Sequence, residues 1–181
     1  MKNNFLKTIG GTMLAILMLA AGAQISVLAQ DMVNEEKSDK QTQEEGLLAR
    51  RQNGRKLEGS WNLQGTRLNC QTGAETGTFS ALFTFARGGT FWESGSQLSP
   101  ALRSASHGVW RYESNGSYTT AFQFFRFNAD GTFAGRQIVR QQLELSDDGN
   151  SYTATATAQI LDVNGNVIAN NCSAGTATRF E

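Results

Sequence analysis

Five dipeptides limit what this chain can fold into. Beyond residue 57 it carries Gly88-Gly89, Asn115-Gly116, Asp130-Gly131, Asp148-Gly149 and Asn164-Gly165, pairs that supply the positive φ angles of tight hairpin turns. Hairpins join antiparallel neighbours. The turns therefore predict strands over about 57–70, 77–86, 89–95, 107–113, 117–128, 132–145, 151–162 and 166–180. Eight consecutive hairpin-linked strands favour an all-β, eight-stranded antiparallel up-and-down barrel, because closure leaves no unpaired edge. A two-sheet sandwich is the alternative fold.

Alternation supports the strands. Phe79, Ala81, Phe83 and Phe85 share one face of the second, with Thr78, Ser80 and Thr84 on the other, the period of a sheet buried on one side. Tyr152, Ala154, Ala156, Ala158 and Ile160 repeat the pattern against Thr153, Thr155, Thr157 and Gln159. In the fifth strand Phe122 and Phe124 are in one phase, Phe125 and Phe127 in the other. Either a bulge shifts the register there or both faces are apolar. The small alanines of the seventh strand leave volume inside a barrel unless facing rings fill it, which makes Phe83, Phe85, Phe122, Phe124, Tyr152, Ala154, Ala156 and Ala158 the candidate lining of a cavity. Leu98, Pro100 and Leu102, in the one long connection (96–106), could cover a mouth of the barrel.

Upstream, Lys2 and Lys7 precede an apolar run from Met13 to Ala21 that is too short to span a bilayer and reads as a secretory signal. Cleavage is expected after Ala29, with Ala23 the other candidate, leaving no membrane span and placing the protein outside the cytoplasm, extracellular or periplasmic. Residues 30–56 hold six acids, six bases and few large apolar residues. Such a segment cannot bury enough surface to offset its ordering entropy and reads as a flexible linker, with a transient helix around Glu44 to Arg51. The expected organisation is signal peptide 1–29, linker 30–56 and barrel domain 57–181.

With 16 basic and 16 acidic residues the net charge is zero, so no global field draws the protein to nucleic acid or anionic lipid. From Leu57 onward every basic residue is an arginine. Cys70 and Cys172 in an exported chain are read as a disulfide, the alternative being two free thiols. A metal site would need three or four clustered ligands, and only His107 could join the cysteines. No metal or cofactor set is therefore expected. Ser104 and Ser106 flank His107 without the exposed nucleophile turn of a hydrolase. Glu93, Glu113, Glu144 and Asp162 are the carboxylates that could meet inside a barrel for acid–base work. Asp130, Asp147 and Asp148 adjoin turn glycines and lack the ligand spacing of a calcium loop.

Gly59-Ser60-Trp61 on the first strand, together with Arg179 near the end of the chain, resembles the calycin superfamily, the lipocalins and their relatives. The resemblance implies a calycin-like barrel in which the indole packs at the closed end beneath the arginine, over residues 57–181. A guanidinium over an indole face gains about 0.5–2 kcal/mol on physical grounds alone. Thr84-Phe85-Ala86-Arg87-Gly88-Gly89-Thr90, His107-Gly108-Val109-Trp110 and the run from Phe124 to Thr132 look like a group of small secreted bacterial proteins of unassigned function, which implies a fold and an address without an activity. The leading expectation is a secreted non-enzymatic barrel carrying a small hydrophobic ligand. A structural or interaction module with a filled core is the second reading, and a barrel isomerase or cyclase acting on an apolar substrate the third.

Overall fold

The computed structural model describes residues 43–48, 52 and 55–180. The expected signal peptide and most of the expected linker lie outside the described residues. Residues 43–48 are helical, overlapping the span where a transient helix is expected. The chain divides after Ala49, and the barrel belongs to the unit Arg50–Glu181.

Eight strands follow one another: β1 (Gly59–Leu68), β2 (Glu75–Ala86), β3 (Thr90–Gly95), β4 (His107–Ser114), β5 (Ser117–Phe127), β6 (Phe133–Leu145), β7 (Ser151–Leu161) and β8 (Val167–Arg179). Each is antiparallel to the next, and β8 pairs back onto β1 from Trp61↔Arg179 to Leu68↔Cys172. The sheet is a closed barrel and not a sandwich. All five turn dipeptides contain positive φ, and Asn115, at 48°, is the one non-glycine residue to do so among the described residues. Aspartates complete three of the turns. Asp130 accepts from the Thr132 amide and hydroxyl, Asp148 from the Asn150 amide and Ser146 hydroxyl, and Asp162 from the amides of Asn164 and Asn166. The side-chain bonds from Thr132, Ser146 and Asn166 lead in holding these carboxyls below the usual range. Depressed folded-state values mean that this contribution to the turns is present above the ordinary carboxylate pKa and is lost as pH falls through the lowered values.

The fifth strand is apolar on both faces. Phe122 and Phe124 are buried, whereas Phe125 is 55% exposed and packs edge-on against Phe133, which in turn meets Phe127. A bulge does occur, but between Arg126 and Phe127, too late to turn Phe125 inward.

The end of the barrel where β1 begins is sealed. Leu57, fully buried, lies in a turn before β1 and plugs the bore; the strand expected from residue 57 starts at Gly59 instead. Its carbonyl accepts the Trp61 indole Nε1–H at 2.9 Å. The Arg179 guanidinium carbon sits 4.3 Å from the centre of the Trp61 ring. Its Nη1 donates to Glu58 O, Nη2 to Lys56 O and Gly149 O, and Nε to Gly149 O, at 2.7–3.2 Å. One side chain thereby joins the approach to β1, the β6–β7 turn and β8. Gly59 makes this possible: its φ is +123°, and a Cβ there would stand 2.8 Å from Arg179 Nη1. Above the seal, Tyr152 packs on Trp61 at 4.9 Å and continues into an aromatic base of Phe85, Phe91, Trp110 and Tyr118, with ring centres 5.1–6.3 Å apart. At the other end Cys70 and Cys172 form a disulfide with a Cα–Cα distance of 5.2 Å.

Trp61→Ala is expected to cost about 3–5 kcal/mol as a large core deletion, and Arg179→Ala less. Because the side chains touch, the double variant should depart from additivity by at least about 0.5 kcal/mol. Urea unfolding of the four proteins measures this, and strictly additive losses would dissolve the pair.

Candidate functional site

Only half of the bore is filled. Phe83 stacks towards Phe85 and Phe91, at 5.9 and 6.0 Å, and Phe122 meets Phe91 edge-on at 5.6 Å. The rings are thus drawn towards the base, and the small side chains of Ala81, Ala156 and Ala158 leave space above them. The result is a cavity of about 180 Å³. Its apolar wall is Phe79, Ala81 and Phe83 of β2, Phe122 and Phe124 of β5, Val139 of β6, Ala156, Ala158 and Ile160 of β7, and Leu98 from the β3–β4 connection. Towards the disulfide end the wall becomes polar, with Arg67, Gln97, Arg126, Gln137 and Asn171 alongside Cys172.

Five of the eight lining candidates, Phe83, Phe122, Phe124, Ala156 and Ala158, border this cavity. Phe85, Tyr152 and Ala154 do not. All three face inward and are buried, but Phe85 and Tyr152 belong to the aromatic base and Ala154 pairs with Leu143 and Gly175, below the cavity. Alternation assigns a residue to the inside of a barrel; its height along the axis depends on strand stagger, which alternation does not carry. Burial pushes the Tyr152 phenol well above its ordinary pKa, and the hydroxyl has no hydrogen-bond partner. Burial likewise raises Tyr118, to about 12.

One wall is built differently from the others. β3 and β4 share only two residue pairs, Thr90↔Val109 and Phe91↔Gly108, and then part. Side chains bridge the opening. Ser106, fully buried, donates its hydroxyl to Glu93 O at 2.6 Å and accepts the Glu93 amide at 2.7 Å, replacing the missing ladder. Ser104 joins the other side of the same connection to β5, donating its amide to Phe125 O and accepting Phe125 N on its hydroxyl. Glu93 points inward and is held by both Arg103 terminal nitrogens, at 2.6 and 3.3 Å, with the two side chains 2% and 7% exposed. The Arg103 guanidinium also lies 3.9 Å from the centre of the Phe124 ring. The gap in this wall is therefore flanked by an ion pair laid across an aromatic.

The residues that resembled catalytic parts do not assemble. His107 is exposed at the start of β4. The Ser106 hydroxyl is consumed by the β3 backbone, and the Ser104 hydroxyl donates to Ala105 O. Of the four carboxylates only Glu93 enters the bore; Glu113 and Glu144 are exposed and Asp162 completes a turn. Among the described residues no three His, Cys, Asp or Glu side chains are grouped to hold a metal ion. Arg67, Arg103 and Arg126 were not singled out from sequence. The signal for two of these three is present in strand phase: Arg67 shares its phase with Trp61 and Leu63, and Arg126 with Phe122 and Phe124. No family model matches the chain, and no curated protein matches it.

Removing one partner of a buried pair strands the other charge, so Arg103→Met is expected to destabilise by about 3–5 kcal/mol, with Arg103→Met/Glu93→Leu recovering most of that. Urea unfolding of the two variants distinguishes this from simple loss of packing, in which the double variant would be the worse. Tyr152→Phe, which deletes an unpaired buried hydroxyl, should be neutral or stabilising in the same assay.

Proposed function

We propose that the protein is a secreted, non-enzymatic barrel that holds a small, mainly apolar ligand in the upper half of its bore. The observation that carries this reading is the cavity of about 180 Å³ above a fully packed base. Protein interiors pack to near-crystalline density, and a chain selected only for a filled core would close this volume with one larger side chain at Ala81, Ala156 or Ala158. An apolar cavity near 150 Å³ is enough for a benzene ring, so the volume suits a compact ligand. Enzymatic acid–base work is less well supported, because Glu93 is the one carboxylate in the wall and Arg103 already engages it. The disulfide suits the oxidising compartment that an export signal implies.

A neutral, environment-sensitive naphthylamine dye should bind saturably with a stoichiometry near one per chain. Ala156→Phe should abolish that binding while leaving the urea midpoint close to the parent value, since the new ring enters empty space. In a filled core the same change would overpack and cost about 1–3 kcal/mol. No dye binding by the parent, with a destabilised variant, would favour the structural module.

A further inference from the structure

We infer that the ligand is an amphipathic monoanion, its apolar body in the cavity and a carboxylate held at the mouth by Arg126 and Arg67. The inference rests on the ligand-binding reading and goes further, because it assigns the ligand a charge and a direction of entry.

Arg126 carries most of the argument. It follows Phe122 and Phe124 on the inward face of β5 and lines the cavity, and its Nε is buried without a hydrogen-bond partner. Buried donors on charged groups are rarely left unmade, because the desolvation cost is then uncompensated. Arg67 is its counterpart on β1, in phase with the buried Trp61, Leu63 and Gly65, and it lines the same cavity. Space for it is provided by β2: Gly77 has φ +151°, and a Cβ there would lie 3.0 Å from Arg67 Nη2.

Charge balance supports the assignment. Arg67, Arg126 and Glu93 are the ionisable residues of the wall, and the Glu93 charge is matched by Arg103. The Arg103–Glu93 contact is the one ion pair among the described residues, so both wall arginines lack a carboxylate partner there. Two unneutralised guanidinium groups at the rim of an apolar pocket would repel a cationic ligand and give a neutral one nothing to pair with. A carboxylate matches the planar donor fork, and such charge-assisted bonds are about twice as strong as neutral ones. The polarity of the cavity then sets the orientation: apolar body towards Phe83 and Phe122, head towards Arg126.

Three probes of one size test this: benzoate, benzyl alcohol and benzylammonium, titrated separately into the mature protein and followed by ¹⁵N–¹H spectra. Benzoate is expected to bind at least about tenfold more tightly than benzyl alcohol, in line with a charge-assisted pair, with shifts confined to β1, β2 and β5–β8 around the cavity. Benzylammonium should not bind. In Arg126→Gln and in Arg67→Gln the preference for benzoate over benzyl alcohol should fall about tenfold, the size of one such bond, and the spectra themselves report whether each variant is folded. Equal affinity for benzoate and benzyl alcohol in the parent would overturn the anionic assignment and leave a neutral carrier. Failure of all three to bind would overturn the ligand-binding reading and this inference with it. Should Arg126→Gln not fold, the parent probe series and Arg67→Gln decide the matter.

Discussion

Arg179 is the side chain on which closure of the barrel turns. An up-and-down sheet closes only if its first and last strands meet, and the Trp61↔Arg179 pair is the terminal rung of that seam. The guanidinium does more than cover the indole. It satisfies carbonyls of Lys56, Glu58 and Gly149 at a barrel end where the ladder has run out, and buried carbonyls left unpaired there would oppose closure. The disulfide performs the matching task at the opposite end, fixing Cys172 of β8 to the segment that follows β1. It spans 102 residues of sequence, and in chain-entropy terms a loop of that size contributes up to about 4.7 kcal/mol.

Between these two ends the bore is divided. Large rings crowd the sealed half because Trp61, Phe85, Trp110, Tyr118 and Tyr152 all project to similar heights, and the alanines of β7 leave the other half open. The β3–β4 wall belongs to the open half, and its construction differs for a physical reason. Two strands that part leave amides and carbonyls facing a gap, and a hydroxyl able both to donate and to accept is the smallest side chain that can satisfy one of each. Ser106 does this for Glu93. Arg103 then supplies the charge that lets Glu93 face inward.

Strand number, order and closure were legible because turn chemistry and alternation are local signals, printed at Asn115-Gly116 or along Phe79 to Phe85. The cavity was legible only in part. Ala156 and Ala158 border it, but Ala154 on the same face does not, since height along the barrel axis is a property of how strands are staggered. The Arg103–Glu93 pair was not legible at all: Arg103 lies on an irregular connection, and no periodicity says which strand it will meet. The use of arginine alone beyond Leu57 acquires a partial explanation. Arg67, Arg103, Arg126 and Arg179, four of the eight, occupy the ends or inner wall of the barrel, where a planar multi-donor group can stack on a ring or span several acceptors, which a lysine ammonium does less well.

Leu57 lies outside every strand, yet it is the plug of the barrel, and Lys56 O and Glu58 O are two of the acceptors for Arg179. The folded unit thus begins upstream of its own sheet. Lys56 is itself exposed and sits where a protease specific for basic residues would cut. A chain that begins at Arg55 keeps the three carbonyls, of Lys56, Leu57 and Glu58, that the seal uses. A cut after Lys56 would take the Lys56 carbonyl away from Arg179 and place a new, charged amino terminus on the plug residue, so the base of the barrel depends on peptide bonds that precede its first strand.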